Sequence, residues 1–109
     1  MNRATQMAVA SAKLAWEDAG LTAGNAAGHT IGVSHGTTLG AAQAIEDVDS
    51  LLVQQRKPGK ELFAQMPPHA APAAIAAELN CHGPNFMFST ACAAGNYAIA
   101  YAYDLIRSN

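Results

Sequence analysis

Residues 86–106 read FMFSTACAAGNYAIAYAYDLI. A short apolar run, Phe86–Thr90, gives way at a cysteine to a helix-length segment whose first formal charge is Asp104. Four to eight apolar residues followed at once by a helical pattern is the signature of a strand feeding a helix. A helix that is apolar nearly all round is expected inside a larger protein rather than on a surface. The spacing therefore predicts a strand over 86–90 and a buried helix over 92–107, with Cys92 at the junction.

Outward from this segment the same alternation recurs. Residues 4–19 carry Met7, Ala8, Ala12, Ala15 and Ala19 at three-or-four spacing, which predicts a helix, and Gly20 is its expected stop. HTIGVSH, 29–35, reads as a buried strand closed by Gly36. Residues 40–55 read as an amphipathic helix with Glu46, Asp47 and Asp49 on its wet face. QQRKPGK, 54–60, is a polar loop with Pro-Gly turn chemistry, and 67–80 a third helix with proline near its start. CHGPN, 81–85, is a turn. Helix, strand, helix, helix, strand, helix implies an α/β fold with a mostly parallel sheet. Two strands are too few to complete such a sheet.

Composition narrows the class. The chain has 109 residues, 50% hydrophobic and only 13% charged, against roughly 25% charged in an ordinary soluble domain. Alanine supplies much of the apolar count and buries little area per residue, so the core must form by close backbone approach. From Leu62 to Tyr103 the one formal charge is Glu78. Such a stretch implies cover by protein outside these residues; the other reading is an Ala-rich domain with an unusually neutral surface. A net charge of −2 with no basic run argues against nucleic acid as partner. No apolar run is long enough to span a bilayer, and the N-terminus lacks the order of a signal peptide. Cys81 and Cys92 have no zinc spacing around them, so neither metal nor cofactor is expected, and reduced thiols in the cytoplasm are the simplest reading.

A thiol at a helix start meets the first-turn amides and the positive end of the macrodipole, both of which favour thiolate over thiol. Ala91, Ala93, Ala94 and Gly95 leave room for a carbonyl to approach, and the Cys92 amide is placed to donate to an oxyanion. From the residues alone Cys92 is equally a small buried hydrophobe, the usual fate of a free cysteine.

GPNFMFSTACAAGNYAIAYAYDLIRSN, 83–109, resembles the active-site segment of the β-ketoacyl synthases, condensing enzymes of fatty-acid and polyketide assembly. Gly83, Pro84, Thr90, Ala91, Cys92, Ala93, Gly95, Ala98, Ile99, Leu105, Ile106 and Arg107 carry the likeness. ATQMAVASAKLAWEDAGL, IGVSHGTTLGA and QMPPHAAPAAIAAELNCHGPN resemble the family's early helix, its Gly-rich loop and the segment before its catalytic strand. Asn96, Tyr97 and His35 depart from the pattern.

The resemblance implies a thiolase-like αβαβα fold. Residues 1–109 would then be part of the N-terminal half of a ketosynthase domain, with the first strand and the entire C-terminal half absent. It implies that Cys92 takes an acyl group from a carrier-protein thioester, and that a malonyl-type extender loses carbon dioxide and attacks the acyl-cysteine. Acyl carrier protein, the acyl and malonyl thioesters, the remainder of the ketosynthase and a second subunit, in a homodimer or heterodimer, are the implied partners. Thr90 and Ala91 would lie against the substrate. Leu39 is either a wall of the acyl pocket or the start of the second helix's apolar face. The strand at Phe86, Met87 and Phe88 would lie at or beside the dimer axis. SHGTTLG, 34–40, resembles a downstream His-Gly-Thr motif but precedes Cys92 by more than fifty positions, so His35 is read as incidental. His29, His69 and His82 are expected in turns or at the surface, and Cys81 as a structural thiol. The implied catalytic histidines lie beyond Cys92, where these residues have none, so residues 1–109 alone are expected to be inactive in condensation. Another thiolase-fold acyltransferase, or a non-catalytic ketosynthase-like partner subunit, are the alternatives; Cys92 argues against the latter.

Overall fold

The computed structural model describes residues 1–108, with His29 described through its backbone alone. Helix α1 spans Arg3–Asp18, strand β1 Val33–Gly36, helix α2 Ala42–Val53, helix α3 Lys60–Phe63, helix α4 Ala70–Glu78, strand β2 Asn85–Phe88 and helix α5 Ala94–Ser108. Two 3₁₀ turns, Gly28–Thr30 and Ala91–Ala93, precede β1 and α5. The strands pair in parallel, Val33 opposite Asn85 and Gly36 opposite Phe88. Helix α5 packs on one face of this sheet and α4 on the other, with α1 laid against α4. The α/β class and parallel pairing expected from the alternation are what the chain adopts.

Element ends follow local chemistry. Asn2 caps α1, its Oδ1 accepting from the Thr5 amide at 2.9 Å. Gly20, at φ +67°, closes α1 with the Leu21 amide donating to the Trp16 carbonyl. Gln55 at φ +57° and Asn80 at φ +53° close α2 and α4 without glycine, the Arg56 amide donating to the Leu51 carbonyl and the Cys81 amide to that of Ala76. Pro72 is fully buried inside α4, tolerated because it sits in the first turn, where amides lack intrahelical partners anyway.

Several boundaries and faces differ from expectation. The first strand begins at Val33, not 29, because Gly28–Thr30 coils into a 3₁₀ turn and Pro84 opposite offers a carbonyl but no amide. That strand is half-buried along its length rather than buried. The loop expected over 54–60 ends in the unforeseen one-turn helix α3. Helix α1 buries Thr5 and Val9, with Ala8, Ala12 and Trp16 half covered, while Met7 is 62% exposed. Counting alanines placed the inner stripe too near Met7, Ala15 and Ala19, because alanine marks neither face of a helix strongly.

The helix after Cys92 is not enclosed by these residues. It buries Ala94 and Ala98 on β1, while Ile99 is 71% and Ile106 78% exposed. The core is small and Ala-rich, as composition requires: Val9, Ala44, Val48, Ala71, Ile75 and Ala98 are among its members. Among the described residues no helix is long and apolar enough to cross a membrane.

Candidate active site

Both parallel strands run toward the same edge, and the loops leaving them meet there. In open α/β sheets that carboxyl edge is where ligands bind. The Thr37 amide donates to the Phe88 carbonyl at 2.9 Å, and Ser89 Oγ donates to the Thr38 carbonyl at 2.9 Å. The loop that carries Leu39 is therefore fastened to the segment that carries Cys92.

Cys92 sits in the 3₁₀ turn Ala91–Ala93 rather than in the first turn of the α-helix. The Ala93 amide donates to the Thr90 carbonyl at 3.0 Å, and Ala94 donates to the Ala91 carbonyl. Among the described residues no acceptor takes the Cys92 amide. Ala91 holds φ +49°, a left-handed conformation that L-residues other than Asn and Asp rarely adopt. The thiol of Cys92 is exposed. Cys81, by contrast, is buried just beyond the end of α4, and burial pushes its thiol pKa up. Two cysteines eleven positions apart thus have opposite environments.

Thr90 and Ala91 are exposed beside Cys92. Leu39 is 64% exposed and lines an open apolar groove of about 370 Å³ with Ile45, Leu52 and Met66. Two further grooves, about 420 and 350 Å³, flank residues 30–34 of the sheet's open edge and have no contact with Cys92. Those shapes belong to an incompletely covered sheet and not to the chemistry.

Two of the departures from the resemblance, Tyr97 and His35, have local packing partners. Tyr97 lies over Phe88, ring centres 6.5 Å apart, and Tyr101 packs edge-on against Phe86 at 4.7 Å. His35 lines a cavity of about 120 Å³ with Thr5, Thr37 and Pro68, on the α1/α4 face of the sheet, opposite α5. Burial pushes its pKa down. His69 and His82 are exposed, His82 within 2.9 Å of Asn80 Oδ1; the expectation for the His29 side chain lies outside the described residues. Among the described residues no three His, Cys, Asp or Glu side chains gather as a metal would require.

The family model of the β-ketoacyl synthase N-terminal domain matches residues 1–109. The chain belongs to the β-ketoacyl synthase family. The ketoacyl synthase alpha subunit of the tetracenomycin polyketide synthase of Streptomyces glaucescens is 33% identical over 97% of this chain. The 3-oxoacyl-[acyl-carrier-protein] synthase 2 of a Synechocystis strain is 31% identical over 99% of it. The crystal structure of a β-ketoacyl synthase from Burkholderia phymatum superposes on the whole chain with a TM-score of 0.87 at 27% identity. The chain spans 27% and 26% of the length of those two curated relatives and 28% of the crystallised chain. The fold is accordingly thiolase-like, and the helix, sheet and helix layers seen here are part of it.

Sequence reasoning singled out Cys92, Thr90, Ala91 and Leu39 and did not foresee two contacts behind the Cys92 turn. A Cβ on Gly36 would overlap the carbonyl of Ala94, and Ser34 Oγ donates to the Ala98 carbonyl at 2.7 Å. The available signal was small residues at alternate strand positions 34 and 36, facing small residues four apart at 94 and 98.

Proposed function

We propose that Cys92 is the nucleophile of a condensing enzyme that accepts an acyl group from a carrier-protein thioester. The observation that carries this reading is the turn itself: an exposed thiol, with a strained residue before it and an amide left without an acceptor, at the carboxyl edge of a parallel sheet. The thiolate sulfur attacks the thioester carbonyl. The carbonyl oxygen gains charge, and the Cys92 amide, left without an acceptor, is available to meet it. The carrier thiolate then leaves, taking a proton, and the acyl group stays on sulfur. A malonyl-type thioester loses carbon dioxide, and the resulting carbanion attacks the acyl carbon and releases Cys92. Donors for the enolate oxygen in that second half-reaction come from outside residues 1–108. Thr90, Ala91 and Leu39 flank the acyl chain on this reading. The names of the relatives include polyketide and 3-oxoacyl-[acyl-carrier-protein] synthases, which supports a carrier-bound acyl substrate.

The test uses the complete protein that contains this chain. After incubation with an acyl-carrier thioester, peptide mapping is expected to find the acyl group on Cys92 and not on Cys81, and Cys92→Ala to lose both acylation and condensation. Acylation confined to Cys81, or condensation that survives Cys92→Ala, overturns the assignment.

A further inference from the structure

We propose that residues 34–38 form a clamp that positions Cys92, with Gly36 and Ser34 as the positioning residues that seat the helix behind it. The proposal rests on the reading of Cys92 as nucleophile. The turn that bears Cys92 is held at both ends by this one stretch of β1 and its loop. Upstream, Thr37 and Thr38 take the backbone of Phe88 and the hydroxyl of Ser89. Downstream, Gly36 lies directly on the backbone of Ala94, and Ser34 reaches the carbonyl of Ala98.

The downstream match is geometric. Residues 34 and 36 face the same side of the strand, roughly 6.6 Å apart. Ala94 and Ala98 share one face of α5, about 6 Å apart along its axis. The two spacings agree, so helix and strand run alongside each other with small residues at both crossings. Ala94 and Ala98 are the buried residues of α5, which makes this seam the seat of its N-terminal half.

Gly36 needs no unusual backbone angle; what it supplies is the missing Cβ. A methyl there would overlap the Ala94 carbonyl and come within 2.7 Å of the Gly95 nitrogen. Ordinary carbon contacts are about 3.5–4.0 Å, so α5 would have to retreat by about 1 Å. Ala93 and Ala94 are bonded back to Thr90 and Ala91, and the retreat would carry the Cys92 turn with it. Misplacement of a reacting group by about 1 Å costs up to roughly a hundredfold in rate.

The experiment measures acyl transfer from an acyl-carrier thioester to Cys92 in the complete protein, with the thioester varied to separate kcat from KM and with protection of buried Cys81 from iodoacetamide read as a monitor of folding. Gly36→Ala is expected to lower kcat for acylation of Cys92 by roughly tenfold to a hundredfold at little changed KM, with Cys81 still protected. Ser34→Ala, which adds no atom, is expected to lower kcat by a smaller factor, also at little changed KM. Gly59→Ala, at a glycine where an added methyl would meet nothing within 4 Å, is expected to match wild type. Unchanged kcat for acylation of Cys92 in Gly36→Ala and Ser34→Ala, with Cys81 protected, overturns the proposal. If Gly36→Ala exposes Cys81, Ser34→Ala decides: selective slowing of Cys92 supports the clamp. A wild-type rate there, or loss of Cys81 protection there too, overturns it. Wild-type Cys92 reacting no faster than glutathione would sink the nucleophile reading instead. The two failures are separable, because the clamp is judged by the ratio of variant to wild type.

Discussion

Ala91→Gly is expected to stabilise the protein while loosening the turn that bears Cys92. Ala91 holds φ +49° immediately before Cys92. An L-residue in the left-handed region costs about 1–2 kcal/mol, and glycine removes that cost. Glycine in turn loses about 0.5–1 kcal/mol more backbone entropy on folding than alanine. The Ala91 side chain is exposed, so its methyl contributes little burial to lose. The balance is a gain of about 0.5–1 kcal/mol, roughly a two- to fivefold shift toward the folded state. Gln55, exposed at φ +57°, supplies the control, because Gln55→Gly relieves the same backbone conformation far from Cys92. The assay is urea unfolding of the complete protein, comparing midpoints at constant slope. Both variants should move the midpoint up by similar amounts, but Ala91→Gly alone should slow alkylation of Cys92. A midpoint lowered by Ala91→Gly and raised by Gln55→Gly would refute the reasoning, since it would mean that Ala91 gains from its surroundings more than its conformation costs.

Two further outcomes follow from the edges of the structure. Phe86 lies on β2 and is 37% exposed; on the reading that this strand borders a subunit interface, Phe86→Glu should convert dimer to monomer in sedimentation, with a penalty of about 3–5 kcal/mol for a buried unpaired charge, and an unchanged dimer would place the strand elsewhere. His35 is held below its ordinary pKa of 6.5 by burial, so the unfolded chain takes up a proton first as pH falls; stability should be full above about 6.5 and decline below it, and a His35→Leu variant that retained the same decline in urea midpoints would assign it to another group.

The strand-to-helix order was legible because apolar period and turn residues change together at each junction, as at Gly20 and at Thr90–Cys92. The turn that bears Cys92 was legible only in outline. No glycine marks the left-handed position there; alanine occupies it, so sequence pointed to Cys92 at a plain helix start and not in a strained 3₁₀ turn. Gln55 and Asn80 close helices at the residues where the sequence reading ends them, but they hold left-handed positions that no glycine marks. The inner face of α1 was misplaced for a different reason. Its partner is α4, a helix whose alanines present a shallow surface, and the burial of Thr5 and Val9 is decided by where α4 lies, not by periodicity within α1. The helix α3 is four residues long, too short for a periodic signal.

The faces that remain open carry the same argument further. The charge-poor stretch from Leu62 to Tyr103 folds only part of its apolar surface inward: Phe63, Tyr97, Ile99 and Tyr103 are all exposed. On α5 the inward side is spent on the seam with β1, through Ala94 and Ala98. Its outward side, with Ile99 and Ile106, is as apolar as a core helix without having a core. On the reading that the remainder of a ketosynthase covers these residues, a helix placed this way would contribute to two layers at once. That placement suits the proposed chemistry. The clamp on β1 holds the nucleophile from behind, and the opposite side of the turn stays open for whatever brings the thioesters and the donors that meet the enolate oxygen. His35 cannot be one of those donors without a rearrangement, because it lies across the sheet from α5, among Thr5, Thr37 and Pro68. His82 cannot either, since it precedes β2 while Cys92 follows it, at the other end of the strand.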